Sequence, residues 1–108
     1  MAALGITKKV YVAPLAELLD DFAGVVSGMA SSAPDEYPEW SYDSYESQVA
    51  DIQQLWSAIR PRLNRDLAEA AFVDQKLQEA LQAFREERKD TGRNAMWAIY
   101  NLGVKELR

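Results

Sequence analysis

Cysteine and histidine are both absent from this 108-residue chain. Without cysteine there is no disulfide framework of the kind that staples small secreted domains, so nothing points to an oxidising compartment. The same two absences remove the commonest general base, the strongest nucleophile and the usual zinc ligands. Glycine is scarce, five in all, and no glycine-rich phosphate loop occurs. No apolar run approaches the ~18 residues of a membrane span. Thr7-Lys8-Lys9 precede an apolar patch, but Glu17, Asp20 and Asp21 soon interrupt it and no cleavage-site pattern follows. Positive charge is also in deficit: 12 Lys and Arg stand against 17 Asp and Glu, a net charge of −5. Nucleic-acid binding needs a basic patch to displace counterions, and this balance argues against it. The expectation is a cytoplasmic protein that is not an enzyme, uses no cofactor or metal, and binds neither nucleic acid nor membrane.

What is present is a core. Apolar residues make up 48% of the chain, enough for one domain at this length. Leu15, Leu18, Leu19, Phe22, Val25, Val26 and Met29 recur at three- and four-residue steps after Pro14, which suits a first helical turn. Ser31-Ser32-Ala33-Pro34 reads as the stop, and residues 32–42 as a loop. A second stripe, Tyr45, Val49, Ile52, Leu55, Trp56 and Ile59, predicts a helix from about Asp43, with Asp43 and Glu46 at capping-box spacing. Pro61 disfavours helix at Arg60 and predicts a break or kink over 60–65. The pattern resumes from Asp66, again with an acid three residues on at Glu69. Ala70, Val73, Leu77, Ala80, Leu81 and Phe84 line its inner face, and Lys89-Asp90-Thr91-Gly92 ends it. A fourth helix is expected over 91–107. It is apolar on most sides, which places it between neighbours or in an oligomer interface. The fold class is therefore all-α: an antiparallel bundle of about four helices in a single domain, 1–108, with the second and third alternatively one kinked helix. Residues 1–12, with Lys9-Val10-Tyr11-Val12, read either as an extended arm or as a helical lead-in.

The strongest local signal is acidic and aromatic. Residues 35–46 read Asp-Glu-Tyr-Pro-Glu-Trp-Ser-Tyr-Asp-Ser-Tyr-Glu. Tyr and Trp supply large contact area at low entropic cost and dominate binding hot spots, and flanking carboxylates steer a basic partner. Two readings stay open. Tyr37, Trp40 and Tyr42 either fold back to plug the end of the bundle or face a partner, and a ring can do both. Elsewhere the blander reading is favoured. Trp56 and Trp97 are assigned to the core, and Phe72 to a solvent-exposed ring. Glu17, Asp20 and Asp21 are read as solvated acids, and Asp74 as an edge residue with an arginine nearby. Arg60, Arg62 and Arg65 read as a solvated link between helices.

One resemblance adds to this. The run Tyr37-Pro38, then Tyr42-x-Ser44-Tyr45-x-x-Gln48-Val49-x-x-Ile52, resembles the entry to the second long helix of small helical bacterial immunity proteins. Ala95-x-x-Ala98-x-Tyr100-x-x-Gly103 is similar to that group's last helix. The group protects cells against type VI secretion effectors that hydrolyse NAD(P)⁺. The resemblance implies a domain without enzymatic activity that binds a cognate toxin one-to-one and blocks its dinucleotide cleft. The loop here is more acidic and aromatic than the group's pattern, and residues 66–90 match it only in periodicity. The residues expected to meet the partner are Asp35, Glu36, Tyr37, Glu39, Trp40, Tyr42, Asp43, Ser44 and Gln48. The rival expectations are a secretion chaperone or adaptor that holds a partner helix on its fourth helix, and a structural homodimer subunit.

Overall fold

A computed structural model of the chain describes residues 13–41 and 43–108. The expected arm over residues 1–12 and the ring of Tyr42 lie outside the described residues. Four helices lie among the described residues: α1, Leu15–Ser32; α2, Tyr45–Ile59; α3, Leu67–Arg85; and α4, Lys89–Asn101. Short 3₁₀ turns follow α2 at Arg60–Arg62 and α4 at Val104–Glu106. The chain is all-α, as its periodicity predicts. No helix among the described residues is long and apolar enough to cross a membrane.

The packing is antiparallel around the ring of helices. Gln48, near the start of α2, sits over Gly28 near the end of α1. The Tyr45 ring, also at the start of α2, meets Phe84 at the end of α3 edge-on, with centroids 5.8 Å apart. Phe84 in turn lies against Gly92 at the start of α4, and Arg93 of α4 reaches Ala33 just past α1. The expected stripes form the core: Leu18, Leu19, Phe22, Val26 and Met29 from α1, Ile52, Trp56 and Ile59 from α2, Val73 from α3, and Met96 and Ile99 from α4 are all buried. Phe22 and Trp56 stack at 5.1 Å between centroids. Burial of each such side chain is worth about 1.5–3 kcal/mol, which offsets the conformational entropy of ordering the helices. As its composition predicts, α4 packs between two neighbours, α1 and α3.

Several expectations are corrected at helix ends. The cap of α2 is Ser44, not Asp43: Ser44 Oγ accepts from the Ser47 amide at 3.1 Å while Ser47 Oγ accepts from the Ser44 amide at 2.9 Å. Two hydroxyls thus close the box one residue later than the acids suggest, and a hydroxyl reaches the amide without burying a charge. Asp66 does not cap α3, because its Oδ2 accepts from the Arg108 amide at 2.9 Å. The carbonyl of Arg108 in turn takes the amides of Arg65 and Asp66, each at 2.8 Å. Helices α2 and α3 are separate rather than one kinked rod: after the 3₁₀ turn the backbone is extended at Leu63.

The third helix stops at Arg85, earlier than the Lys89-to-Gly92 signal suggests. Glu87 takes the left-handed conformation, φ 60°, and the Arg88 amide returns to the Ala83 carbonyl at 2.8 Å. That is a Schellman stop built on a residue other than glycine. The last helix begins at Lys89 and ends at Asn101, not at 91 and 107. Gly103, at φ 83°, turns the chain so that Val104 and Leu107 return to the core. Trp97 is corrected as well. It is 38% exposed and packs edge-on against Tyr100 at 5.7 Å on the outer side of α4.

Candidate functional site

The acidic–aromatic segment forms the connection from α1 to α2, and the fold holds it at several points. Arg93 of α4 makes the firmest tie. Its Nε donates to the Ala33 carbonyl at 2.7 Å, and its Nη2 lies 2.8 Å from Glu36 Oε2 as an ion pair rather than an aligned hydrogen bond. One turn earlier on α4, Lys89 Nζ donates to Asp35 Oδ1 at 3.2 Å and lies 3.5 Å from Glu36 Oε1. These cations hold the Glu36 carboxyl below its ordinary 4.5, through the Arg93 contact first and Lys89 second. Asp35, for its part, is the chief influence raising Lys89 above 10.5.

The second tie runs to α2. The Tyr37 hydroxyl donates to Gln48 Oε1 at 2.7 Å. Its ring packs partly buried against the core, and burial, with the Asp43 carboxylate adding to it, pushes the phenol up to about 12. Gln48 itself is 6% exposed, a buried polar side chain that needs such a partner. It fits there because Gly28 faces it: a Cβ at Gly28 would stand 2.9 Å from Gln48 Nε2.

Just past these ties the chain turns outward. The Ser41 amide donates to the Pro38 carbonyl at 3.0 Å, closing a turn whose two central residues are Glu39 and Trp40. Trp40 is 84% exposed. Isolated exposed apolar residues are common, but an indole so far out, at the tip of a turn, has no packing role among the described residues. A shallow hollow of about 290 Å³ opens between the loop and the start of α2, walled by Tyr37, Tyr45, Asp35, Asp43 and Glu46.

The structure thus divides the predicted contact residues. Tyr37 and Gln48 serve the interior, and Ser44 serves the helix end. Asp35 and Glu36 are exposed but already paired to α4. Glu39, Trp40 and Asp43 face outward, and Asp43 makes no ion pair among the described residues. Tyr42 lies outside the described residues. The sequence reading missed Arg93 and Lys89. They sit more than 50 residues from their partners, and no local pattern reports such a distance. The expected edge role of Asp74 is met: it accepts from Trp56 Nε1 at 2.7 Å and from Arg60 Nε at 3.1 Å. Phe72 is half-buried with Lys76 Nζ 5.7 Å from its ring centre. No cluster of three potential metal-binding side chains occurs among the described residues.

Comparison with protein-family models, with curated proteins and with solved structures finds no match to this chain.

Proposed function

We propose that this protein is an immunity factor that binds a cognate bacterial effector toxin, a NAD(P)⁺ glycohydrolase, and occludes its active site. The observation that carries the binding part of this reading is Trp40, 84% exposed on a turn that directly follows a segment tied to α4 and α2. A large flat ring held in place before binding loses little freedom on docking, which is the property of interface anchors. Glu39 and Asp43 beside it favour a positive surface, and a cleft that holds the phosphates of a dinucleotide is positive. The choice of toxin class rests on the resemblance of the Tyr37-to-Ile52 and Ala95-to-Gly103 runs.

The test is a binding titration against a NAD(P)⁺-hydrolysing effector domain sought among the neighbours of this chain's gene, together with inhibition of its hydrolysis. Replacing Trp40 and Glu39 by alanine together is expected to weaken binding by more than about tenfold, the scale of a lost hot spot. Wild-type affinity in that double variant overturns the interface.

A second reading draws on the Trp97–Tyr100 pair, 38% and 40% exposed. Such a patch suits a chaperone or adaptor that holds a partner helix, or a homodimer. Mass by light scattering that grows with concentration, and is reduced by Trp97→Ala, would favour the homodimer over a monomeric toxin binder.

A further inference from the structure

A groove of about 610 Å³ runs between α1 and α2, sharing only Asp43 with the surface around the Trp40 turn. Its α1 wall carries Glu17, Asp20 and Asp21, and Asp43 and Asp51 stand on the α2 side. All five are exposed. Among the described residues no lysine or arginine lines the groove, and the one ion pair that any of the five makes is Asp20 with Lys105, at 3.9 Å. The floor is apolar, built from Leu18, Val25 and Leu55. The result is an amphipathic trough: a greasy base between negative rims.

One further feature marks it as a place for something else to lie. Gly24 sits within the trough, and a Cβ there would meet nothing within 4 Å. Packing inside the fold therefore does not require glycine at this point, although glycine in a helix interior weakens the helix. Gly28 is the contrast, since Gln48 fills the space above it. Gln48 also lines the groove; its Oε1 is taken by Tyr37 and its Nε2 lies over Gly28.

We infer that this groove docks a basic amphipathic helix of a partner protein. Lysine or arginine head groups would pair with the carboxylates of both rims, and the apolar side of the helix would lie along Val25 and Leu55. Gly24 would give its backbone room to approach. Charge complementarity selects the sign of the partner, and the apolar floor selects a helix over a fully solvated basic tail. This inference stands whether or not Trp40 anchors a toxin.

The test uses the full chain and a fluorescein-labelled synthetic peptide of lysine and leucine arranged at helical spacing. A scrambled peptide of the same composition serves as control. Fluorescence anisotropy is expected to show the helical peptide binding at least about tenfold tighter than the scramble, because only the ordered peptide has an apolar side to bury. Gly24→Leu, which fills the trough, and Asp20→Asn with Asp51→Asn, which neutralises both rims, are each expected to lose about tenfold or more. Thermal melts check that both variants remain folded. Trp40→Ala is expected to bind the peptide like wild type, which separates this surface from the toxin-binding reading.

Equal binding of the scramble overturns the proposal, as does undiminished binding by folded Gly24→Leu. Equal affinity for spermine overturns it in favour of a small-polyamine site. Binding that appears only after Lys8→Glu and Lys9→Glu overturns it by assigning the trough to the chain's own N-terminal lysines.

Discussion

Three glycines on helices have three different meanings, and a single atom separates them. At Gly92 a Cβ would stand 2.5 Å from the Phe84 ring. Gly92→Ala must therefore push apart the α3–α4 contact, at a cost of about 1–3 kcal/mol in urea unfolding. At Gly24 the space is open, and Gly24→Ala is expected to stabilise the fold by up to about 1 kcal/mol through helix propensity. Gly28 lies between them, opposite a flexible side-chain end. None of this is legible in the sequence, where all three are simply glycine in or near an apolar stripe. The difference depends on what the other helices place across from them. Tyr37 supplies a pH signature at the same scale. Its phenol is raised from 10 to about 12, so the folded state favours the neutral ring. The stability this represents is complete below pH 10 and is lost as pH rises toward 12. Alkaline unfolding followed by circular dichroism should show that limb, and Tyr37→Phe should remove its titration.

At the scale of elements, the interiors of the helices were legible and their ends were not. Leu18, Phe22, Val26, Ile52, Trp56, Val73 and Ile99 are where the three- and four-residue spacing puts them, because burial of a stripe is decided by period alone. Ends are decided by single hydrogen bonds. Ser44 and Ser47 outcompete Asp43 and Glu46 at α2, and Asp66 is diverted to Arg108 at α3. Ser44→Ala is expected to cost about 1 kcal/mol. Glu87→Gly should do the opposite and stabilise by about 1 kcal/mol, since the left-handed φ of 60° strains a residue with a Cβ. Both are read from shifts in the urea midpoint at unchanged slope. The clamp on the 33–41 segment was likewise not legible, because Arg93 and Ala33 meet across 60 residues of chain. The segment itself was, by composition, and the choice between plug and anchor resolves residue by residue: Tyr37 packs inward and Trp40 points out. Glu36 gives the clamp an acid limit. Its folded value lies below 4.5, so its contribution is present above that pH and is lost as pH falls through the lower folded value. Amide exchange in residues 35–41 should accelerate there.

At the scale of the molecule, the charge is unevenly placed. Of the acids on the loop, Asp35 and Glu36 are answered by α4, while the five along the α1–α2 groove are almost unanswered. That crowding raises the energy of the free protein, so added salt should raise its melting temperature while it weakens any basic peptide bound there. The overall form is a slab of 35 × 34 × 19 Å, about two helix diameters thick. Its three indoles sit in three settings: Trp56 is 8% exposed and bonded to Asp74, Trp97 is 38% exposed against Tyr100, and Trp40 is 84% exposed. The molecule accordingly carries its own optical reporters. Acrylamide should quench Trp40 first and Trp56 last. A ligand seated on the turn should blue-shift the reddest part of the emission and spare the rest, whereas loss of the fold should red-shift the bluest part. One spectrum, without a label, can then tell occupancy from denaturation.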